Sequence, residues 1–275
     1  MNLKELIQAS GCDTGAISGL SSQIIGQMNL LIPSVLVDFS DLPNFEASGK
    51  QVNPYLQPIA KESLRRAIQE NGSKKLKINS AYRTVAQQYF IYSKWQKGLC
   101  FSKAAQPGLS NHEDGLALDI SNFDDWITVL EKHGWDWFGS GDKVHFSFVR
   151  SGVRDDIGNI GLKAFQQLWN KFNPSDTIKD DGLFGDKTSK RLDLSPIDGF
   201  PTFRTLKIKS PLIQGDDVRE VQQALVKGGF LTFANVNGDY DDATKTAVEQ
   251  FQSQKHLGID GVVGRQTRKE LGLPT

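Results

Sequence analysis

The chain has few cysteines, few methionines, no net charge and no long apolar run. Two cysteines among 275 residues are too few for a disulfide scaffold, and Cys12 and Cys100 are read as unpaired thiols. Lys and Arg together number 32, and so do Asp and Glu, so the formal charge is zero. There is no basic excess to meet phosphates, which argues against nucleic acid as a partner. The same balance argues against a polybasic membrane anchor. The most apolar stretch, residues 30–37, is short and carries Pro33, whereas a membrane span needs about 20 residues. The first residues, Met-Asn-Leu-Lys-Glu-Leu-Ile-Gln, show no apolar core and no small-residue cleavage site of a secretory signal. Three possibilities stay open: a cytoplasmic chain, another export route, or an export segment outside this chain. With 38% hydrophobic and 23% charged residues, disorder is not expected, and the length suggests about two domains.

The first fifty residues are loosely patterned, and only 30–37 looks core-forming. From Pro58 to Glu70 the apolar residues Ile59, Leu64, Ala67 and Ile68 lie near one stripe, and Gly72 follows, which predicts a helix. Leu76 to Ile78 alternates as a strand does. Thr84 can cap a second helix running to about Lys97, with Gly98 ending it. Gly115–Ile120 alternates strictly. Its Leu116, Leu118 and Ile120 share one face, and Gly115, Ala117 and Asp119 share the other. Asp124 to His133 reads as a short helix stopped by Gly134. In 144–149 the residues Val144, Phe146 and Phe148 share a face, with His145 opposite. Helices mixed with short strands predict an α+β domain ending near residue 150.

Beyond that point a repeat begins. Asp181-Gly-Leu-Phe-Gly185 with Thr188 and Leu192 matches Asp260-Gly-Val-Val-Gly264 with Thr267 and Leu271 at identical spacing. A Phe-Gln helix precedes each copy, Phe165-Gln166 in one and Phe251-Gln252 in the other. A half-copy runs from Val218 to Leu225 and on to Asn237-Gly-Asp-Tyr240. Such repeats predict a small helical module, and residues 195–205, with Pro196, Gly199 and Pro201, read as the linker. The Asp-Gly pairs lack the further oxygen ligands of a calcium loop, so they read as turns.

The residues that can carry chemistry cluster between 110 and 145. His112 and Asp119 stand seven apart, and Asp142 and His145 stand three apart at the entry to a strand. Two imidazoles and one carboxylate suit Zn²⁺ and leave a fourth position open. A remaining carboxylate can serve as general base. Gly115 and Ala117 would keep the ligand face uncrowded. His133 reads as a helix C-terminal residue, His256 as a surface residue, and Trp135 and Trp137 as core or cleft wall. Glu113 and Asp114 read as a solvated turn.

The longer string Ser110-Asn-His-Glu-Asp-Gly-Leu-Ala-Leu-Asp119 meets S-x-H-x-x-G-x-A-x-D at every fixed place. It resembles the VanY-like zinc D-alanyl-D-alanine carboxypeptidases of bacterial cell walls. Ser80-Ala-Tyr82-Arg83 with Gln88, the pair Gly134-Trp135 with Trp137, and Asp142-Lys-Val-His-Phe146 agree with it in order and spacing. The resemblance covers roughly residues 50–150. It implies a hedgehog/D,D-peptidase-like α+β fold, with Zn²⁺ held by His112, Asp119 and His145. It further implies Asp142 as general base and Arg83 as the group that polarises the scissile carbonyl. Ser110, Gln88 and Tyr82 are expected to hold substrate. Many members carry Glu at the base position. Asp keeps the chemistry, but it weakens the choice of bond, because Asp forms occur among phage endolysins that cut L-Ala–D-Glu.

The C-terminal repeat resembles the peptidoglycan-binding domain type 1. The expected organisation is a zinc peptidase domain with an N-terminal extension over 1–150, a short repeat over 151–200 and a complete all-α binding domain over 206–275. In that last domain Val218, Val221, Leu225, Phe230, Phe251, Val263 and Leu271 form the expected core. The implied partners are the peptidoglycan stem peptide and wall glycan, and the implied location is the cell wall or periplasm. The implied activity is D-Ala–D-Ala carboxypeptidase. The rivals are an endopeptidase or endolysin of the same fold, and a non-catalytic zinc protein that binds the wall, as hedgehog-like domains illustrate.

Overall fold

The computed structural model describes residues 1–101, 103–201 and 203–273. Contacts divide the chain into two units, Met1–Phe200 and Pro201–Thr275. The first unit differs from the expected cut at residue 150, because residues 151–200 pack with the N-terminal segment.

In the first unit a five-stranded sheet is built from β2 (Phe45–Ala47), β4 (Leu76–Ser80), β5 (Ala117–Ile120), β6 (Trp135–Trp137) and β7 (His145–Phe148), in the order β2-β4-β5-β7-β6. β2 runs parallel to β4, and the other pairs are antiparallel. β1 (Val37–Asp38) and β3 (Tyr55–Leu56) form a separate antiparallel pair. The register sets Asp119 opposite His145, and Ser80 opposite Asp119 on the other side.

The expected helix over 58–70 is α3 (Pro58–Glu70), with Pro58 at its start. It buries Ala60, Leu64, Ala67 and Ile68 in a cluster with Ile78, Leu118, Ile120, Trp126 and Phe146. Full burial of a Leu or Ile side chain contributes about 1.5–3 kcal/mol. The predicted helix over 124–133 is a short 3₁₀ turn followed by α5 (Ile127–Lys132), with His133 as its C-cap. Trp135 lies in the same core. α4 (Val85–Gln96) starts at Thr84, whose hydroxyl accepts from Gln87 N while the Gln87 side chain accepts from Thr84 N.

The expectation that only 30–37 forms core in the first fifty residues is corrected. α1 (Leu3–Gln8) and α2 (Ser18–Leu31) bury Leu3, Ile7, Leu20, Ile24 and Met28, whereas Leu30 is exposed. These side chains join Phe90 of α4, Phe165 and Trp169 of α6 (Ile157–Phe172), and Leu192 of α7 (Asp186–Leu194) in a second cluster. α6 lies along α2, and at its first turn Gly158 is required by the loop at Gly108, since a Cβ would stand 2.7 Å from Gly108 O. Residues 195–200 are not a linker. Leu3 N donates to Ser195 O, and Ile197 and Phe200 are buried in this cluster.

The reading of unpaired thiols is also corrected, because Cys12 and Cys100 form a disulfide. Spacing could not reveal it, since 88 positions separate them. A crosslink over such a distance contributes about 4–5 kcal/mol by the chain-entropy estimate. Buried Lys94 donates to Ala9 O, which ties the same N-terminal segment to α4.

The second unit contains α8 (Asp216–Lys227), α9 (Asp242–Gln254) and α10 (Arg265–Glu270) around Val218, Val221, Leu225, Tyr240, Phe251 and Val263. Phe230 and Leu271 pack against this core partly buried. A buried glutamine explains the repeat. Gln252 Nε2 donates to Asp260 Oδ1, Val262 O and Thr267 Oγ1, and its Oε1 accepts from Gly261 N. Gln166 makes the same set with Asp181, Leu183, Thr188 and Gly182, and Gln222 makes it with Asn237, Asp239, Thr244 and Gly238. An amide buried without partners would cost about 1–3 kcal/mol for each unmet group. The Asp-Gly turn and its threonine therefore recur with the glutamine. Both Asp-Gly pairs are turns, as expected.

Candidate metal centre

The sheet register builds most of the site. Asp119 Oδ1 lies 3.0 Å from His145 Nδ1 and 3.3 Å from His112 Nε2. One ligand atom from each of the three residues falls within 4.8 Å of the others. Tetrahedral zinc with bonds near 2.0–2.1 Å spaces its ligands about 3.3 Å apart, so the donor set and spacing fit this ion.

His112 comes from a turn rather than a strand. Gly115 N donates to His112 O, and Arg83 N donates to the same carbonyl. Gly115 is needed for two reasons: its φ is +65°, and a Cβ would meet Leu36 Cδ2 at 2.6 Å. The expectation that Gly115 keeps the ligand face open is thus corrected, because it packs against Leu36. Ala117 is likewise fully buried. His112 Nδ1 lies 2.7 Å from Ala81 O, a group that only accepts. That contact fixes the hydrogen on Nδ1 and leaves the Nε2 lone pair facing Asp119.

Burial alone would raise the Asp119 carboxyl, but the two imidazoles and Arg83 hold it well below the usual carboxylate range. Burial and the Arg83 charge push His112 down, which favours its neutral form. Burial also lowers Arg83, against the opposing pull of Asp119, Glu113 and Asp142. The directions for Asp119 and His112 suit ligands that must be deprotonated to bind metal.

Arg83, Ser110, His112, Asp119, Asp142 and His145 line one cavity of about 440 Å³. A neighbouring cavity of about 320 Å³ shares Arg83 and Asp119. Cys12 lines this smaller cavity and Cys100 the larger. Asp142 is exposed and sits at the turn into β7, where its carbonyl accepts from His145 N.

One expected substrate contact is corrected. Tyr82 is buried, with its hydroxyl 2.9 Å from Met28 Sδ, so it is a core residue. Gln88 is buried too, but it lines the same cavity as Arg83 and Ser110. Its Oε1 accepts from Arg83 Nη1 at 3.0 Å and its Nε2 donates to Ala105 O at 2.7 Å. With Ser80 Oγ 3.2 Å from Arg83 Nη2, Gln88 therefore aims the guanidinium. Ser110 is nearly buried and lines the cavity.

Glu113 and Asp114 are not a solvated turn. Glu113 is 1% exposed and accepts from Gly108 N and Ser110 N. Burial pushes its carboxyl up to about 8. Asp114 Oδ1 accepts from Gly158 N, and burial raises it to about 6. These two acids hold the loop before His112 and the start of α6. Sequence reasoning also missed Lys103, which lines the larger cavity, and Asn111 and Ser147, which contact His145. Asn111 sits inside the matched motif at a variable place, so only its contacts reveal it.

His133 Nε2 donates to Glu70 Oε2 at 3.0 Å, outside the three-residue ligand group, and His256 is exposed.

Parts of the chain have counterparts among known proteins. Residues 51–146 match the family model of the D-alanyl-D-alanine carboxypeptidase VanY, and residues 214–271 match that of the peptidoglycan binding domain. A probable N-acetylmuramoyl-L-alanine amidase of Bacillus licheniformis is 29% identical over 140 residues, covering 46% of this chain and 38% of the relative. The amidase CwlL of the same organism is 29% identical over 143 residues, covering 46% and 39%. The type VI secretion system spike protein VgrG3 of Vibrio cholerae is 44% identical over 64 residues, covering 19% of this chain and 6% of that protein. The chain thus spans under two fifths of the amidases it matches. Among the described residues no helix is long and apolar enough to cross a membrane. The chain joins a VanY-type region, residues 51–146, to a peptidoglycan-binding domain, residues 214–271.

Proposed function

We propose that the chain is a zinc-dependent peptidase that hydrolyses the peptidoglycan stem peptide, acting on D-Ala–D-Ala as a carboxypeptidase. The observation that carries this reading is the His112–Asp119–His145 group set in one cavity with Arg83 and Asp142. His112, Asp119 and His145 would hold zinc there, which when bound would supply Lewis acidity toward a water and a carbonyl. Asp142 takes the proton of the attacking water and returns it to the leaving amine. Arg83 stabilises the negative charge that grows on the scissile oxygen. Gln88 and Ser80 keep its guanidinium pointed at that place, so little reorganisation is needed as charge develops. Lys103 offers a second cation in the cavity for a terminal carboxylate. The wall-binding domain raises the local concentration of substrate, and the wall or periplasm is the place of action.

A wall endopeptidase is the second reading. The two cavities that share Arg83 and Asp119 leave room for substrate residues beyond the cut bond, and Asp142 is the shorter of the two acids found at this position. Release of D-alanine from a stem pentapeptide, lost on chelation and regained with zinc, tests the primary reading.

A further inference from the structure

The two histidines of the site are held in different ways. Ala81 O can only accept, so it fixes His112 in one tautomer. His145 has Nδ1 3.0 Å from Asp119 Oδ1, while its Nε2 meets two groups that can either donate or accept. Asn111 Nδ2 lies 3.1 Å from that nitrogen, and Ser147 Oγ lies 3.1 Å from it. Asn111 Nδ2 also donates to Ser147 Oγ at 2.6 Å, closing a triangle around Nε2.

Local structure sets this triangle. Ser147 stands two residues after His145 on β7, so both side chains leave the same face of the strand. Asn111 is anchored by its carbonyl, which accepts from Leu116 N at 3.0 Å. As arranged, the amide donates to Nε2, and this suits an imidazole whose hydrogen is on Nδ1, directed at Asp119. A metal on Nδ1 needs the opposite tautomer, with the hydrogen on Nε2 and an acceptor facing it. The same amide turned by half a rotation puts Oδ1 where Nδ2 stood, and that oxygen accepts from both Nε2 and the Ser147 hydroxyl. A carboxylate at this place would serve only the second arrangement.

We infer that Asn111, backed by Ser147, is the positioning residue that sets which nitrogen of His145 faces the metal position, its amide turning when the metal is bound. The ring exchanges one hydrogen for another with solvent, so no net proton is gained or lost. This inference rests on the metal-centre reading above.

The test uses the full chain. Zinc affinity is measured by competition with a chromophoric chelator for the wild type, Asn111→Leu, Asn111→Asp and Ser147→Ala. Ring ¹⁵N shifts of His145 are read with and without zinc. Loss of such an outer partner typically costs about 10–100-fold in metal affinity, so Asn111→Leu should weaken zinc binding by at least about tenfold. Asn111→Asp, which keeps an acceptor in place, should stay near the wild type, and Ser147→Ala should lie between. The ¹⁵N signature should move from a hydrogen on Nδ1 to one on Nε2 as zinc binds. Equal affinity in a folded Asn111→Leu protein, or a hydrogen on Nε2 already present without zinc, overturns the inference while the metal centre stands. If Asn111→Leu does not fold, the ¹⁵N result and Ser147→Ala decide. A wild type that takes up no zinc overturns both the metal centre and this role.

Discussion

Asp119 and His145 are direct cross-strand partners in β5 and β7, with carboxylate Oδ1 and ring Nδ1 3.0 Å apart. Their pairing follows from the burial pattern. Leu118 and Ile120 on one strand and Phe146 and Phe148 on the other are drawn to the core, and this turns Asp119 and His145 together toward the cavity. A slip of one residue on either strand would send one ligand to the opposite face. The apolar half of each strand therefore assembles the metal position, and the site forms only if the sheet forms.

Replacing Asp142 by Ala should separate chemistry from metal binding. The side chain lies outside the three-residue ligand group. Zinc stoichiometry should be unchanged, and kcat should fall by about 10²–10⁴-fold, the usual contribution of a general base. Metal analysis beside steady-state kinetics reads both. Undiminished kcat would remove Asp142 from the reaction.

Gln88 should act through Arg83. Gln88→Leu deletes the acceptor 3.0 Å from Arg83 Nη1 and should lower kcat about tenfold with little change in KM. Gln88→Glu keeps an acceptor there and should recover most of that loss. A rise in KM alone would instead indicate direct contact with substrate.

Lys103 should discriminate the substrate's end. Lys103→Ala should raise KM several-fold for a peptide with a free C-terminal carboxylate and leave KM unchanged for the same peptide capped as an amide. An equal effect on both would assign Lys103 a purely structural part.

Stability of the metal-free protein should depend on pH through Glu113. Its carboxyl is raised from 4.5 to about 8 by burial, so the folded state holds a proton that the unfolded state gives up. The contribution is full below pH 4.5 and is lost as pH rises toward 8, with a slope of about 1.4 kcal/mol per unit. Asp114 adds a similar loss between 3.8 and about 6. Denaturant titrations at several pH values should show stability falling across this window, and Glu113→Gln should flatten the part above pH 6. An unchanged slope in that variant would refute the assignment.

What could be read in the sequence was local. α3 announces itself by period and by Pro58, α4 by Thr84, and β5 by strict alternation. The ligand spacing survives as a motif because one turn and two adjacent strands carry all three residues. What could not be read depends on distant partners. Leu3, Ile7, Leu20 and Ile24 sit in Gly- and Ser-rich sequence, and they become core because α6 and α7 cover them. Glu113 and Asp114 look like a solvated turn until Gly108 N, Ser110 N and Gly158 N close over them. Tyr82 lies in the motif beside Arg83, yet its hydroxyl is turned to Met28. Cys12 and Cys100 meet only because the N-terminal segment folds back on the loop after α4.

The most direct measurement incubates zinc-loaded protein, and Asp142→Ala beside it, with a soluble stem pentapeptide ending in D-Ala–D-Ala and with intact peptidoglycan, and reads products by mass spectrometry. The account predicts loss of one alanine mass from the pentapeptide, abolished by a chelator and by the substitution. An internal fragment from the wall with the pentapeptide untouched would contradict the carboxypeptidase and favour the endopeptidase. No product from either substrate, in protein verified to hold zinc, would contradict the peptidase altogether.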